Sequence, residues 1–184
     1  MYNRSLKHPI TALIIAIIAC GFALVMNTQM KLGERVQAVE DGFFTSVAGE
    51  RSIYSRLEEK LDAANGLWTV LEGVDANAAQ SLSDARSGLL TAYESRDISA
   101  MYDANSELDK VYADAVNVLD GAELDENMQS ALDSYTTNYE GAQKMIEQNS
   151  YNSSVLEFMR STFNKFPTSE LASFTGVEPP VSFE

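Results

Sequence analysis

Catalysis in a small protein needs a nucleophile beside a base, a set of metal ligands, or a loop that cradles phosphate. This chain of 184 residues has one histidine, His8, and one cysteine, Cys20, both within its first 20 residues. Serines further along the chain therefore have no imidazole base. Metal ligands in the rest of the chain would have to be carboxylates. Glu58-Glu59-Asp62 and Glu123-Asp125-Glu126 offer such groups, but the second lacks the glycine and final glutamate of an EF-hand loop. The first reads as a solvated helix face and the second as a capped helix start. Di-iron bundle sites need Glu-x-x-His pairs, and no Gly-rich phosphate loop is present either. These residue types point away from an enzyme, with no catalytic, cofactor-binding or metal site expected.

What remains is a set of residues suited to packing and docking: Tyr151, Asn152, Val155, Phe166 and Pro167. Asn152 falls near an apolar helical stripe, three residues after Asn149. A buried asparagine there fixes helix register by bonding to a partner, and a tyrosine packs its ring while its hydroxyl stays in water. The competing reading makes the pair a partner-docking surface. Pro167 forbids helix continuation and biases Phe166 away from the helical region.

Several elements must position these residues. Ile10 to Met26 is an uncharged run of 17 residues, spanning about 26 Å as a helix against a hydrocarbon core of about 30 Å. It reads as one transmembrane helix after a leader, residues 1–9, and it names the bilayer as a partner. Ile17-Ile18-Ala19-Cys20 also resembles a lipobox, which would make Cys20 a lipid-modified anchor, yet Phe22 to Met26 continues the apolar run past it. Basic residues are level on the two sides of the run, so orientation rests on the short leader, which places the N-terminus inside and the domain outside the cell membrane. All 27 acids and 11 of the 13 bases follow Met26. Such an acidic surface repels phosphate backbones and anionic lipid, which excludes nucleic acid as a partner.

Beyond the run the pattern is helical. Leu32, Val36, Val39, Phe43, Ser46, Glu50, Ile53, Leu57, Leu61, Ala64, Trp68 and Leu71 recur at steps of three and four, the seam of a packed helix. Val47 and Tyr54 take over where Ser46 and Glu50 interrupt it. Gly42 and Gly49 predict a bend or the close approach of a neighbour. Asp75, Asp97 or Ser99, and Asp125 suit the starts of three further helices. The expected fold is all-α: a transmembrane helix, then an antiparallel up-down four-helix bundle with long first and last helices over residues 27–167. An apolar tail, residues 168–184, brings Leu171, Phe174, Val177, Val181 and Phe183 close to the bilayer, where it either packs on the first and last helices or touches lipid headgroups.

The Tyr-Asn pair, the valine three residues on, the Phe-Pro stop and an apolar tail ending in Phe183-Glu184 resemble the C-terminal signature of the LemA family. Asp97-Ile98 followed by Ala104-Asn105-Ser106-Glu107-Leu108 is similar to that family's third-helix start. Phe158-Met159 stands where the family carries a second Tyr-Asn. The resemblance implies a bacterial membrane protein with one N-terminal span and a helical bundle. It further implies another membrane protein as partner, with metalloproteases a reasonable class. The expected function is a non-enzymatic scaffold or interaction module at the cell envelope. The alternative is an extracytoplasmic ligand-sensing four-helix domain, although such sensors carry a second span and a signalling domain, neither of which follows before Glu184.

Overall fold

The computed structural model describes residues 7–46 and 49–184. Leader residues 1–6, the His8 side chain and Val47 of the expected seam lie outside what is described. The regular structure of the described residues is helical: α1 (Lys7–Phe44), α2 (Ile53–Leu71), α3 (Ala76–Ser95), α4 (Ile98–Asp120), α5 (Glu126–Glu147), α6 (Tyr151–Phe158), a π-helical turn (Met159–Phe163) and α7 (Thr168–Thr175). Contacts divide the chain into two compact units. One comprises Met1–Val39 with Leu156–Pro180, the other Glu40–Val155 with Val181–Glu184.

The larger unit is built on α2. This helix packs on α5 and α3, and α3 packs on α4. Leu57, Leu67, Leu71, Leu82, Leu89, Met101 and Leu108 are fully buried, each such side chain contributing about 1.5–3 kcal/mol of transfer free energy. Aspartates begin three helices as their types predict. Asp75 accepts from the Asn77 and Ala78 amides, Asp97 from Ala100, and Asp125 from Met128 at 2.8 Å. Asp125 is therefore a cap, as its position before α5 suggested. At Gly66 the two helices α2 and α5 pass close together: a Cβ there would clash with the Tyr135 ring.

The expected long first and last helices are each interrupted. The first breaks between Phe44 and Ile53, and the last between Glu147 and Tyr151. Within the first break Gly49 lies in the left-handed region, with φ +87°, a conformation that glycine adopts at little steric cost. Ser52 then caps α2, accepting from the Ser55 amide. At the second break the Asn149 side chain accepts from the Tyr151 amide at 2.9 Å. The breaks are stitched together: Ser150 donates to Glu50 through its amide and its hydroxyl, and Asn149 Nδ2 donates to the Arg51 carbonyl. Polar groups freed by the two interruptions thus satisfy one another.

In the other unit, Leu32 and Val36 of α1 pack with Phe158, Met159, Phe163, Ala172 and Val177. Gln29 Nε2 donates to the Thr175 carbonyl at 3.2 Å. The Phe166-Pro167 bond is cis, Phe166 is 82% exposed, and Pro167 leads into α7. Earlier in α1, Leu13, Ile14, Ile15, Ile17, Ile18 and Phe22 are all exposed. This helix is long and apolar enough to cross a membrane.

Candidate functional site

Two polar constellations stand out in the larger unit, and only one was visible from residue types. Tyr151 and Asn152 open α6 immediately after the stitched break. Tyr151 is buried, its ring set edge-on to Phe43 at 5.4 Å. Its hydroxyl donates to the Val181 carbonyl at 2.5 Å, so it is not left in water as its amphipathic character suggested. Burial, with the nearby Glu40 carboxylate, pushes its pKa up. Asn152 uses both ends of its amide on one residue: Nδ2 donates to the Phe183 carbonyl at 2.9 Å, and Oδ1 accepts from the Phe183 amide at 2.8 Å. Glu40 accepts from the Val181 amide at 3.1 Å. The register that Asn152 fixes is therefore that of the chain's last residues, not that of a neighbouring helix.

The Phe183 ring completes this clasp. It is buried, lying 5.2 Å from Phe43 and 5.5 Å from Tyr102. Of the two placements expected for the tail, packing on the long helices or contact with lipid headgroups, Val181 and Phe183 take the first: hydrogen bonds and aromatic contacts hold both against α1, α4 and α6. Val155 is buried one turn further along α6. Phe166 and Pro167 belong to the other unit. Cys20 is exposed on α1.

The second constellation centres on Lys60, which is fully buried. Its ammonium donates to Asn105 Oδ1 at 2.6 Å, Asp109 Oδ1 at 2.5 Å and Gln143 Oε1 at 2.6 Å. It also sits 4.6 Å from the centre of the Tyr139 ring. Tyr139 in turn donates its hydroxyl to Asp109 Oδ1 at 2.7 Å, and Asn105 Nδ2 donates to Asp109 Oδ2. Burial lowers the Lys60 pKa, opposed by the charge and hydrogen bond of Asp109. Burial, then the Asp109 charge, pushes Tyr139 up. A lysine with a lowered pKa invites a nucleophilic role, but all three N–H bonds of this ammonium are engaged and it has no lone pair to offer. The arrangement joins α2, α4 and α5 through one charge.

Residue spacing carried a signal for Lys60 that hydrophobicity alone conceals. It stands three residues after Leu57 and four before Ala64, on the buried face. Asn105 stands four after Met101 and three before Leu108. Polar residues at facing stripe positions of two helices mark a buried pair. Glu59 pairs with Arg56 at 2.7 Å and with Arg51, and no metal-holding group of acids, His or Cys occurs among the described residues.

Beside the Lys60 network, α4 and α5 leave a groove of about 750 Å³, lined by residues that include Asp109, Tyr112, Val116, Glu140, Lys144 and Glu147. Tyr112 stacks on Tyr139, with centroids 3.6 Å apart. Its buried hydroxyl and that of Thr136 lie near one another without closing a hydrogen bond. Burial and the Glu140 charge push the Tyr112 pKa up to about 12.

Compared with known proteins, the chain matches no family model, no curated protein and no solved structure.

Proposed function

We propose that this protein is a membrane-anchored, non-enzymatic interaction module of LemA-like type, with its helical domain outside the cell membrane. The observation that carries the reading is the first half of α1. From Leu13 to Phe22 its large apolar side chains are exposed and none is covered by protein, and so extensive an apolar surface calls for a bilayer. The acidic remainder suits an aqueous compartment away from anionic lipid. An up-down bundle of α2 to α5 is the topology that short connections favour. A second membrane protein, with metalloproteases one candidate class, is the partner this reading expects.

Fractionation of cells expressing the full chain tests the anchor. The protein should stay with membranes after alkaline carbonate extraction and enter the soluble fraction only with detergent. Recovery in the soluble fraction without detergent contradicts the reading. Cys20→Ser separates the two anchors: retention favours the helix, and release favours a lipid. A cysteine introduced in place of Ser106 should react with an impermeant thiol reagent on intact cells; protection reverses the orientation. Co-purification from mild detergent should yield a stoichiometric membrane partner.

The groove beside Tyr112 favours a second reading, a ligand-sensing domain, because its volume is in the range of small-molecule sites. A clean monomer whose melting temperature rises with a small molecule would support that reading over the first.

A further inference from the structure

Residues 181–183 are held the way a bound peptide is held. Val181 offers its amide to Glu40 and its carbonyl to Tyr151, and Phe183 offers both backbone groups to Asn152. Ser182 between them makes no hydrogen bond among the described residues. Four bonds thus go to the backbone of alternate residues, and one aromatic side chain fills a pocket formed by Phe43 and Tyr102. Backbone bonding supplies affinity for any extended segment, while the pocket selects the side chain, the division of labour found in peptide recognition by extended docking.

We infer that Glu40, Phe43, Tyr102, Tyr151 and Asn152 form a peptide-binding slot, occupied by the chain's own residues 181–183. It takes in exchange an extended partner segment of the pattern aliphatic, any residue, aromatic. The seated segment itself defines that chemistry: Val181 at the first position, an unbonded Ser182, and a buried Phe183. Residues 177–184 lack regular secondary structure, and a segment held by a few bonds opens at a small fraction of the cost of global unfolding. A tethered occupant lowers the apparent affinity of any competitor by the fraction of time the slot stands open. The slot is therefore a gated one, and its exchange would name the partner chemistry for the interaction module proposed above, on which this inference rests.

The test uses the full chain in detergent and the fluorescent, acetylated peptide Pro-Pro-Val-Ser-Phe-Glu. Phe183→Ala should bind it saturably, and the unaltered chain should bind it at least about tenfold more weakly because its own tail competes. Adding Asn152→Ala to Phe183→Ala should weaken binding by at least about tenfold again, from the loss of two bonds. Three results each overturn the slot: equal affinity for the unaltered chain and Phe183→Ala, equal binding of a scrambled peptide, or no saturable binding to Phe183→Ala up to about 1 mM. If Phe183→Ala loses its helical circular dichroism, the unaltered chain still decides. Excess peptide should then accelerate amide exchange at Val181 and Phe183, and unchanged exchange overturns the slot. Carbonate extraction reads the membrane anchor independently, so failure of the slot and failure of the anchor are told apart.

Discussion

The Lys60 network and the Tyr151-Asn152 clasp both place polar groups inside the larger unit, yet they hold different things. Lys60 ties three helices together through a charge that water does not reach, so its partners cannot part without stranding that charge. The clasp ties a short irregular segment to α1, α4 and α6 through neutral or half-buried groups. Those groups can return to water one segment at a time. A buried charge makes a rigid centre, whereas backbone-directed amide bonds make a releasable edge.

Breaking the centre should have the largest effect. Asp109→Ala leaves Lys60 charged, buried and without its counter-ion, and should cost about 3 kcal/mol, the low end for such pairs because Asp109 retains some exposure. Lys60→Met removes the charge itself and should cost clearly less. Urea denaturation followed by circular dichroism reads both, and equal losses would mean that the charge is not what matters. Next in size is Gly66→Ala, whose new methyl would clash with the Tyr135 ring. It should cost about 2 kcal/mol, and pairing it with Tyr135→Ala should recover part of that loss in a double-mutant cycle.

Asn152→Ala, at the edge, should lower global stability by only about 1 kcal/mol. It should also make the tail sensitive to chymotrypsin after Phe183 at protease levels that leave the intact chain uncut. Tyr112→Phe should change least. It removes a buried hydroxyl without a hydrogen bond, so stability at neutral pH should hold or rise slightly. Its effect on pH dependence has a definite sign. Unfolded, Tyr112 ionises near its ordinary value of 10, whereas in the fold it keeps its proton to about 12. Between these values the unfolded chain binds fewer protons, so the stability Tyr112 contributes below pH 10 is lost as pH rises through that window. Lys60 acts oppositely: with a lowered folded pKa it favours the fold as pH rises toward 10.5. A urea midpoint measured from pH 9 to 12 should fall less steeply in Tyr112→Phe than in the unaltered chain.

Much of the helical pattern was legible in the residues because its causes are local. Asp75, Asp97 and Asp125 sit where helix-start chemistry demands an acceptor, and Leu82, Leu89, Met101 and Leu108 fall on the stripes that become core. The breaks at Gly49 and Asn149 were less visible. A glycine inside a seam reads equally as tolerated, bent or closely packed, and only the two bonds that Ser150 donates to Glu50 decide for a break. Tyr151 and Asn152 stood out by type, but their partners did not. Asn152 reaches Phe183 across 31 residues, and Glu40 reaches Val181 across 141, distances at which no periodicity survives. Lys60 was concealed for another reason. A lysine beside an apolar stripe ordinarily extends its ammonium to water; its spacing points to the buried face, but its partners Asn105, Asp109 and Gln143 come together only in the fold, from two other helices.

Site-resolved amide exchange on the full chain and on Asn152→Ala tests the contrast between rigid centre and releasable edge most directly. The Val181 and Phe183 amides should be protected in the intact chain. In the variant they should exchange at close to free-peptide rates, while amides in α2 and α5 around Lys60 keep their protection. Free exchange of Val181 and Phe183 in the intact chain, or equal loss of protection at Lys60 and Phe183 in the variant, would contradict the account.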